Sequence, residues 1–384
     1  MGGAFGADYV ENLTRMKIAF VGTRGVPASY SGFETFVEEL GARLAERGHE
    51  VVVYCRSHHI KYEGREYRGM RLVKLWTLAN KYLDTMVHSL LSMFHAVVRE
   101  RPDVIYVCGQ GNALTLLIPK IYGIPAIINV DGPDWERQKW GRFASWFLKK
   151  SEKVAVDLAN VVIADSRAVQ DYYRRNYNAD TTFIAYGADI PSERPGNGTL
   201  EKFGLKDRDY FLFVGRLVPE NCADHLVRAF EKLKTDKKCV VVGDAPYAES
   251  YIASLKATDN PNVIFTGYVF GDGYRELGSH AYVHCLTSEV GGTHPALVEA
   301  MAFGNCVIVN DIPTNLETIG DAGISYKGRE GAESLAEALQ WTLDHPEEVE
   351  ALRGKARERV RTEYSWDVIT GRYEELFGRL VKGS

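Results

Sequence analysis

Short apolar runs alternate with amphipathic segments along the chain from Lys17 onwards. The first run, KIAFVG at 17–22, is typical of a buried strand. The segment after its loop repeats apolar residues every three or four positions, as one face of a helix requires. Strands and helices that alternate in this way form parallel sheets covered on both faces. Six such strand–helix units precede residue 190, which predicts a doubly wound sheet of the Rossmann type.

A polar segment with two prolines and three glycines, residues 190–204, interrupts the alternation and is typical of a linker. Five more apolar runs follow it: YFLFVGR, KCVVVGD, NVIFTGY, YVHCLTS and CVIVND. A chain of 384 residues is long enough for two domains that each bury a core. We therefore predict an α/β protein with two Rossmann-type doubly wound parallel-sheet domains. They face a cleft, where ligands bind at the carboxyl ends of the strands.

The chain is expected to divide at three points. The predicted parts are an extension that is disordered or was added for expression (1–15), an N-terminal domain (16–190), a C-terminal domain (191–365) and a last helix (366–384). The last helix has an apolar face of its own, so we expect it to cross back and brace the first domain.

Composition excludes several classes of protein. A hydrophobic fraction of 45% and a charged fraction of 25% are those of a soluble globular protein, and the net charge of −5 gives no reason to expect nucleic acid. The six cysteines lie mostly in strand-like runs, which is typical of reduced core residues in a cytosolic protein. The sequence contains no run of about 18 apolar residues, so no membrane span is predicted. Asp131 and Asp134 lack a partner histidine, so neither a metal nor another cofactor is expected.

A glycine pair before an apolar helix is the most informative local pattern in the chain. Gly291, Gly292 and Thr293 precede a predicted helix, whose unpaired amides would bind an anion such as phosphate. Glu299 falls about two turns into that helix on the same face, where a carboxylate suits the paired hydroxyls of a ribose. Phosphate and ribose together indicate a nucleotide. The alternative is an ordinary strand-to-helix turn capped by Thr293.

Two further segments at predicted strand ends offer anion ligands. Gly25, Ser31 and Gly32 would present amides at the start of the first helix, although any strand–helix turn can contain glycine. Arg216 directly follows the strand YFLFVG, where its guanidinium would hold a diphosphate bidentately and offset the charge of a leaving group. A solvated arginine paired with Glu220 is the alternative for that position.

Asp131 also ends a predicted strand, in the segment NVDGPDW, and precedes Gly132. It could touch a transferred group or steer an acceptor hydroxyl. An Asx turn within its own loop is the alternative interpretation.

The segment 135–153 mixes cationic and aromatic residues in an amphipathic pattern. Such a stretch suits the interface of an anionic membrane, and core packing of the aromatic face is the alternative. Its position beside Asp131 favours the membrane, because a lipid-borne acceptor would then enter the cleft nearby. The residues expected to face the membrane are Trp140, Trp146, Phe147, Lys149, Lys150 and Lys153.

Taken together, three segments resemble the family 4 retaining glycosyltransferases of the GT-B fold, and the similarity extends over nearly the whole chain from Met16. They are SGFETFVEELGARLAERGHEVVVYC, FVGRLVPEN and GGTHPALVEAMAFGNCVIVND. The resemblance implies that the first domain lies on the acceptor side and that the second binds a nucleotide sugar. Arg216 with the amides of Gly292 and Thr293 would hold the diphosphate, Glu299 the ribose, and backbone near Tyr268 the base. The family's phosphate-binding lysine is replaced by Asn221, a weaker and uncharged substitute.

Two more departures from the family pattern narrow the expectation. Gly291 stands where the family has the first of two glutamates, and Asp131 stands where many members have a histidine that reaches the 6-hydroxyl of the donor sugar. These changes resemble the branch that includes bacterial polysaccharide rhamnosyltransferases, and L-rhamnose is a 6-deoxy sugar. The resemblance implies front-face transfer, without an enzymic nucleophile, from dTDP-L-rhamnose to a lipid-diphosphate-linked saccharide. The enzyme would work on the cytoplasmic face of the membrane as a peripheral protein.

Other functions remain open at this point. A UDP-hexose or UDP-N-acetylhexosamine donor would use the same fold, and so would a nucleotide-sugar epimerase or a non-catalytic nucleotide- or glycan-binding protein. The cleft-facing acid and base groups that an epimerase needs are not found as a convincing set. A dehydrogenase is excluded, because TRGVPASYSG does not contain Gly-x-Gly-x-x-Gly after the first strand.

Overall fold

The computed structural model describes residues 15–383 except 29–31, 79, 81–82, 131, 133–134, 136–140, 197 and 246–247. The strands are β1 Lys17–Val21, β2 Glu50–Arg56, β3 Glu66–Tyr67, β4 Met70–Leu75, β5 Val104–Cys108, β6 Ala126–Val130, β7 Val161–Ala164, β8 Thr182–Phe183, β9 Tyr210–Val214, β10 Lys238–Val242, β11 Val263–Gly267, β12 Val283–Leu286, β13 Cys306–Asn310 and β14 Ile324–Tyr326.

The α-helices alternate with these strands. They are α1 Gly32–Glu46, α2 Asp84–His95, α3 Leu117–Tyr122, α4 Arg142–Leu158, α5 Arg167–Tyr177, α6 Thr199–Lys202, α7 Ala223–Phe230, α8 Glu249–Leu255, α9 Gly271–His280, α10 Pro295–Ala302, α11 Pro313–Ile319, α12 Ala332–Asp344, α13 Pro346–Arg359 and α14 Trp366–Lys382. Shorter 3₁₀ turns cover Gln110–Leu116, Pro219–Asn221 and Gly328–Glu330, and π-helical turns cover Ala96–Glu100 and Val360–Tyr364.

The strands form two separate sheets, which confirms the predicted pair of Rossmann-type domains. The first sheet has the order β3-β4-β2-β1-β5-β6-β7-β8, and the second has the order β11-β10-β9-β12-β13-β14. All pairings are parallel except that of β3 with β4. The hairpin of β3 and β4 and the short strand β14 are additions to the strands predicted from the sequence. All six cysteines are buried and none forms a disulfide.

Helices cover the first sheet on both faces. One face packs against α1 and α14, and the other packs against α2, the turn Gln110–Leu116 and α4. The apolar residues of α14 lie in the core of the first domain, where the Phe36 ring of α1 is 5.5 Å from Tyr373 and 6.1 Å from Trp366. Glu374 adds a polar contact, because its carboxylate accepts from Arg47 at 2.6 Å and lies 2.9 Å from His49 Nε2.

The chain crosses between the domains twice, and the two crossings are paired. Ala188 N–H donates to the carbonyl of Tyr364 at 2.8 Å, and Trp366 N–H donates back to the carbonyl of Ala188 at 3.3 Å. The segment that leaves the first domain and the segment that returns to it therefore run side by side.

Candidate functional site

The loop between β12 and α10 carries the glycine pair. Gly291 has a φ of +149°, and a Cβ at this position would lie 2.6 Å from the ring of His294, so only glycine fits without strain. None of the amides of Gly291, Gly292 and Thr293 donates a backbone or side-chain hydrogen bond to another described residue. They are available to an anion bound before the first turn of α10.

The segment that follows β9 is tied to this loop by Asn221. The side-chain amide of Asn221 donates to the carbonyl of Arg216 at 2.8 Å, and its oxygen accepts from the hydroxyl of Ser288 at 3.2 Å. The hydroxyl of Thr287 donates to the carbonyl of Asn221 at 2.6 Å. Asn221 thus fixes the backbone of Arg216 relative to the glycine loop, a role that the sequence did not suggest. Its predicted contact with a diphosphate stays a prediction.

Glu299 lies in the second turn of α10 and is partly buried. Tyr274, from α9, donates its hydroxyl to Glu299 Oε2 at 2.6 Å. Burial of the carboxylate raises the pKa of Glu299 above its usual value of 4.5, although the hydrogen bond from Tyr274 opposes the shift. Tyr274 engages one carboxylate oxygen, and the other has no hydrogen-bond partner among the described residues, which leaves it able to accept from a ligand hydroxyl.

An aromatic surface lies at the end of β11. The rings of Tyr268 and Phe270 are stacked with centroids 5.6 Å apart and planes at 17°, and both side chains are exposed. The hydroxyl of Tyr268 donates to the carbonyl of Asp244 at 3.1 Å, which ties this loop to the one that follows β10. Exposed rings at the carboxyl end of a parallel sheet offer a flat base a surface on which to stack.

The glycine loop of the second domain meets the first domain directly. The Cα of Gly292 lies against the carboxylate of Asp165, so closely that a Cβ would overlap both carboxylate oxygens. Thr293 donates its hydroxyl to the carbonyl of Asp165 at 2.5 Å. A Cβ on Gly132 would lie 3.9 Å from the carbonyl carbon of Gly291. The loops that end β6 and β7 therefore close one side of the site, as expected for two sheets that face a cleft.

The start of α1 also reaches this junction. A Cβ on Gly32 would lie 3.5 Å from the ring of Pro295, the first residue of α10. The amide of Gly25 is engaged within its own loop, because it donates to the hydroxyl of Thr23 at 3.1 Å, and a Cβ there would collide with Cys55. Its predicted role in donor binding stays a prediction. Ser31, Asp131 and Trp140 lie outside the described residues, so their predicted roles stay predictions.

Asp165 belongs to the site but was not predicted to do so. It directly follows β7 and is almost fully buried. Its place at the end of the apolar run VVIA was the available signal, since the same rule selected Arg216 and Asp131. A carboxylate that faces the glycine loop would repel an anion, so Asp165 limits how far toward the first domain a diphosphate can sit.

Helix α4 presents its aromatic residues to the outside. Phe143 and Trp146 are exposed and their ring centroids are 5.9 Å apart, whereas the buried residues of α4 are Ser151, Glu152 and Ala155. Core packing of the aromatic face, the alternative left open by the sequence, is therefore wrong for Phe143 and Trp146. Of the other residues expected to face a membrane, Lys149, Lys150 and Lys153 are exposed or ion-paired at the surface, and Phe147 is partly buried.

Two clusters among the described residues bring three possible metal ligands within 4.8 Å of one another: His58, His59 and Asp84, and Cys222, His225 and Glu289. In the first, the guanidinium of Arg56 is 2.7 Å from Asp84 Oδ2 and competes with any cation. In the second, burial raises the pKa of the Cys222 thiol, which keeps it protonated and a poor ligand.

Comparison with known families divides the chain into the same two halves. Residues 199–359 match the family described as glycosyl transferases group 1, and residues 15–189 match a family described as a domain of unknown function, DUF1972. The alpha-maltose-1-phosphate synthase of Mycolicibacterium smegmatis is 25% identical over 407 residues, which is 95% of this chain and 100% of that protein.

A second relative matches a shorter part of the chain. The N-acetylgalactosamine-N,N'-diacetylbacillosaminyl-diphospho-undecaprenol 4-alpha-N-acetylgalactosaminyltransferase of Campylobacter jejuni is 26% identical over 181 residues, 46% of this chain and 48% of that protein.

Solved structures with the same fold cover nearly the whole chain. The sucrose-phosphate synthase of Thermosynechococcus elongatus superposes with a TM-score of 0.81 at 21% identity, over 96% of this chain and 100% of that one. HepE of Anabaena, in complex with UDP and glucose, superposes with a TM-score of 0.78 at 16% identity, over 95% of this chain and 100% of that one. At these identities the likeness shows the fold.

Proposed function

We propose that this chain is a nucleotide-sugar-dependent glycosyltransferase, and that it transfers L-rhamnose from dTDP-L-rhamnose to a lipid-diphosphate-linked saccharide during synthesis of a bacterial surface polysaccharide. The match of its second half to the glycosyl transferases group 1 and its GT-B fold support the first part of this proposal. The observation that supports the donor site is the glycine loop before α10, whose amides donate to no other described residue, together with Arg216, whose backbone is tied to that loop through Asn221, and Glu299 on α10. Amides, a guanidinium and a carboxylate are groups that bind the phosphates and the ribose of a nucleoside diphosphate.

In the proposed complex the amides of Gly292 and Thr293 and the guanidinium of Arg216 hold the diphosphate. Oε1 of Glu299 accepts from a ribose hydroxyl, while Oε2 stays bonded to Tyr274. The base stacks at Tyr268, beside Phe270. These contacts are strongest when the bond to the sugar has broken and the diphosphate carries its full charge, so they stabilise the leaving group most in the transition state.

The proposed reaction needs no enzymic nucleophile. The bond between sugar C1 and the diphosphate oxygen breaks, the acceptor oxygen bonds to C1 on the same face, and the acceptor proton passes to the departing phosphate oxygen. The protein contributes positioning and electrostatic stabilisation. Asp131 would steer the acceptor hydroxyl or contact the sugar. Asp131 stands where many members of the resembled family have a histidine that reaches the 6-hydroxyl of the donor sugar. Loss of that histidine supports a 6-deoxy sugar as the donor.

The proposed acceptor is lipid-linked and the proposed location is a membrane surface. The name of the Campylobacter jejuni relative describes an acceptor on diphospho-undecaprenol, which supports an acceptor of that class here. The exposed Phe143 and Trp146 of α4, with Lys149 and Lys150 beside them, support contact with an anionic bilayer. None of the described helices has both the length and the apolar character needed to cross a membrane.

A UDP-hexose is the second candidate donor. It is favoured by the fold shared with HepE, whose crystals hold UDP and glucose. Calorimetric titration of dTDP-L-rhamnose, UDP-glucose, UDP-N-acetylglucosamine and GDP-mannose, each beside its nucleoside diphosphate, separates the candidates.

We expect dTDP-L-rhamnose to bind at least about tenfold more tightly than the other three donors, the difference that one well-placed hydrogen bond or clash makes. A preference for UDP-glucose would keep the roles of Arg216 and Glu299 and overturn the rhamnose assignment. Binding of none of the four would overturn the donor site itself. Glu337→Gln, on the exposed face of α12, is the matched control for substitutions of Glu299.

A further inference from the structure

Helix α2 buries mostly polar residues and exposes several apolar ones, the reverse of an ordinary surface helix. Its buried residues are Met93 and three polar residues, His88, Ser89 and Ser92, whereas two leucines and a phenylalanine face outward. Leu90, Leu91 and Phe94 are exposed by 39%, 42% and 52%. From Thr85 to Val98 the sequence has no Asp, Glu, Lys or Arg. A helix that meets water carries its polar residues on the outer face, so this outer face is built for an apolar environment.

The next helical segment repeats the pattern. Leu117 and Ile121 of α3 are exposed by 47% and 80%, and no charged residue occurs from Val104 to Pro119. We call the exposed side chains Leu90, Leu91, Phe94, Val98, Leu117 and Ile121 the apolar face.

The apolar face lies in the same helical layer as the exposed aromatic residues of α4. The hydroxyl of Ser89 on α2 donates to Asn112 Oδ1 at 2.8 Å, which fixes α2 to the turn Gln110–Leu116. A Cβ on Gly111 in that turn would lie 3.4 Å from Leu148 of α4. Lys120 of α3 donates to the carbonyl of Asp157 at 3.2 Å. The three helices therefore form one layer on one face of the first sheet, and their outer residues share one surface.

Charge around this layer favours an anionic bilayer over a second protein copy. Arg99, Arg101, Arg142, Lys149 and Lys150 are exposed on the three helices or at their ends. The carboxylates of the same layer are engaged, since Asp84 pairs with Arg56, Glu100 with Lys17 and Arg71, and Asp157 with Lys153. The layer is thus locally cationic on a chain whose net charge is −5, and a second copy would place like charges opposite one another.

The layer begins at the edge of the cleft. Asp84, the first residue of α2, is 2.7 Å from Arg56 at the carboxyl end of β2, and Gln110 donates to the carbonyl of Gly132 at 3.3 Å beside the glycine loop. From these observations we infer that the apolar face of α2 and α3 inserts into the headgroup and acyl boundary of an anionic bilayer, beside the cleft that receives the acceptor. This inference rests on the proposed lipid-linked acceptor and extends the membrane contact beyond α4.

Vesicle flotation tests the inference. The full chain is mixed with vesicles of phosphatidylcholine containing 30% phosphatidylglycerol, roughly the anionic content that polybasic surfaces recognise. The test variant is Phe94→Glu with Ile121→Glu. The matched control is Leu316→Glu, a residue of the second domain that is exposed by 40%. Thermal unfolding of all three proteins checks that each is folded, and each substituted side chain is exposed.

We expect the double variant to lose at least about tenfold in vesicle affinity and the control to bind like the unmodified chain. Part of the binding of the unmodified chain should survive in 0.5 M salt, because insertion of apolar side chains is not screened. Equal binding by the double variant would overturn the inference. So would sedimentation that shows a dimer of the unmodified chain and a monomer of the double variant, since the face would then be an interface between copies.

The outcome is separable from that of the proposed function. Nucleotide-sugar affinity measured by calorimetry is expected to be the same in all three proteins, because Phe94 and Ile121 are exposed on helices of the first domain, whereas the donor site is proposed for the second. Absence of vesicle binding with intact donor binding would overturn the membrane inference and the proposed membrane location, and would leave the donor assignment in place. Vesicle binding without binding of any nucleotide sugar would overturn the donor assignment alone.

Discussion

The two domains share a fold but differ in what their helices present to the outside. Fourteen of the seventeen large hydrophobic side chains that are exposed among the described residues belong to the first domain, and three belong to the second. The second domain instead places its distinctive residues at its strand ends, in loops tied together by Asn221 and Tyr268. The two domains thus differ in where their distinctive residues lie: those of the second are in the loops at its strand ends, and those of the first are on the outer face of its helices.

The contact between the glycine loop and the first domain is the place where a single substitution should have the largest effect. In Gly292→Ala the new methyl group would overlap the carboxylate of Asp165, which is almost fully buried, so either that carboxylate or the glycine loop must shift. A displacement of about 1 Å at a reacting centre costs about 100-fold, and we expect kcat/KM to fall by at least that factor.

Gly371→Ala in α14 is the matched control for this substitution, because a Cβ there meets nothing within 4 Å. It should keep full activity and gain about 0.5–1 kcal/mol in the free energy of unfolding, since alanine favours the helix over glycine. If Gly292→Ala has unchanged kcat/KM, the contact between the glycine loop and Asp165 is not part of the active arrangement.

Glu299→Gln should reduce function and increase stability together. Glutamine can still accept from Tyr274 but carries no charge, so we expect nucleotide affinity to fall about tenfold by calorimetry, the difference between a charged and a neutral acceptor.

The pH dependence of stability gives a second measurement on the same variant. The pKa of Glu299 is raised above 4.5 in the folded state, so between 4.5 and that raised value the folded chain binds more protons than the unfolded chain. The free energy of unfolding of the unmodified chain therefore falls as pH rises between these two values. The gain in the free energy of unfolding from Glu299→Gln should therefore increase with pH above 4.5 and then level off. A gain that is the same at every pH would contradict burial of an ionised carboxylate. Glu337→Gln should change neither property.

The smallest expected effect concerns the outer face of the first domain. Ile121→Ala should change the free energy of unfolding by less than about 0.5 kcal/mol, because the side chain is 80% exposed. Ile128→Ala, in the fully buried strand β6, should cost about 2–5 kcal/mol as a matched control. Urea unfolding of both variants measures the difference. A large loss for Ile121→Ala would mean that this part of the apolar face is packed within the protein.

The sequence predicts the two sheets well, because each central strand is an uninterrupted apolar run that only a sheet covered on both faces explains. It does not reveal β3 and β4, since their residues alternate with charges such as Arg65, Arg68 and Arg71 and resemble a loop. Contacts between the domains, such as that of Thr293 with Asp165, join residues 128 positions apart and leave no local pattern.

The outer face of α2 shows a different limit of sequence reasoning. The pattern predicts a long apolar helix at 83–99, and an apolar stripe ordinarily faces the core. Here Ser89 and Ser92 face the core, with Asn112 as the partner of Ser89. Periodicity identifies the two sides of a helix, but the neighbours decide which side is outward. The absence of charge from Thr85 to Val98 was the available signal that neither side is meant for water.

The packing of α14 has a consequence for the order in which the protein can fold during synthesis. The chain emerges from its N-terminus, yet Tyr373 and Phe377 of α14 fill the core of the first domain between Phe36 and Tyr106. Until Tyr373 and Phe377 are available, the side of the first sheet that they cover is exposed, whereas every strand and helix of the second domain precedes them in the chain. The first domain therefore cannot complete its core before the second domain has been synthesised. A chain truncated before Trp366 should hold a protease-resistant second domain beside a first domain that is still open to cleavage.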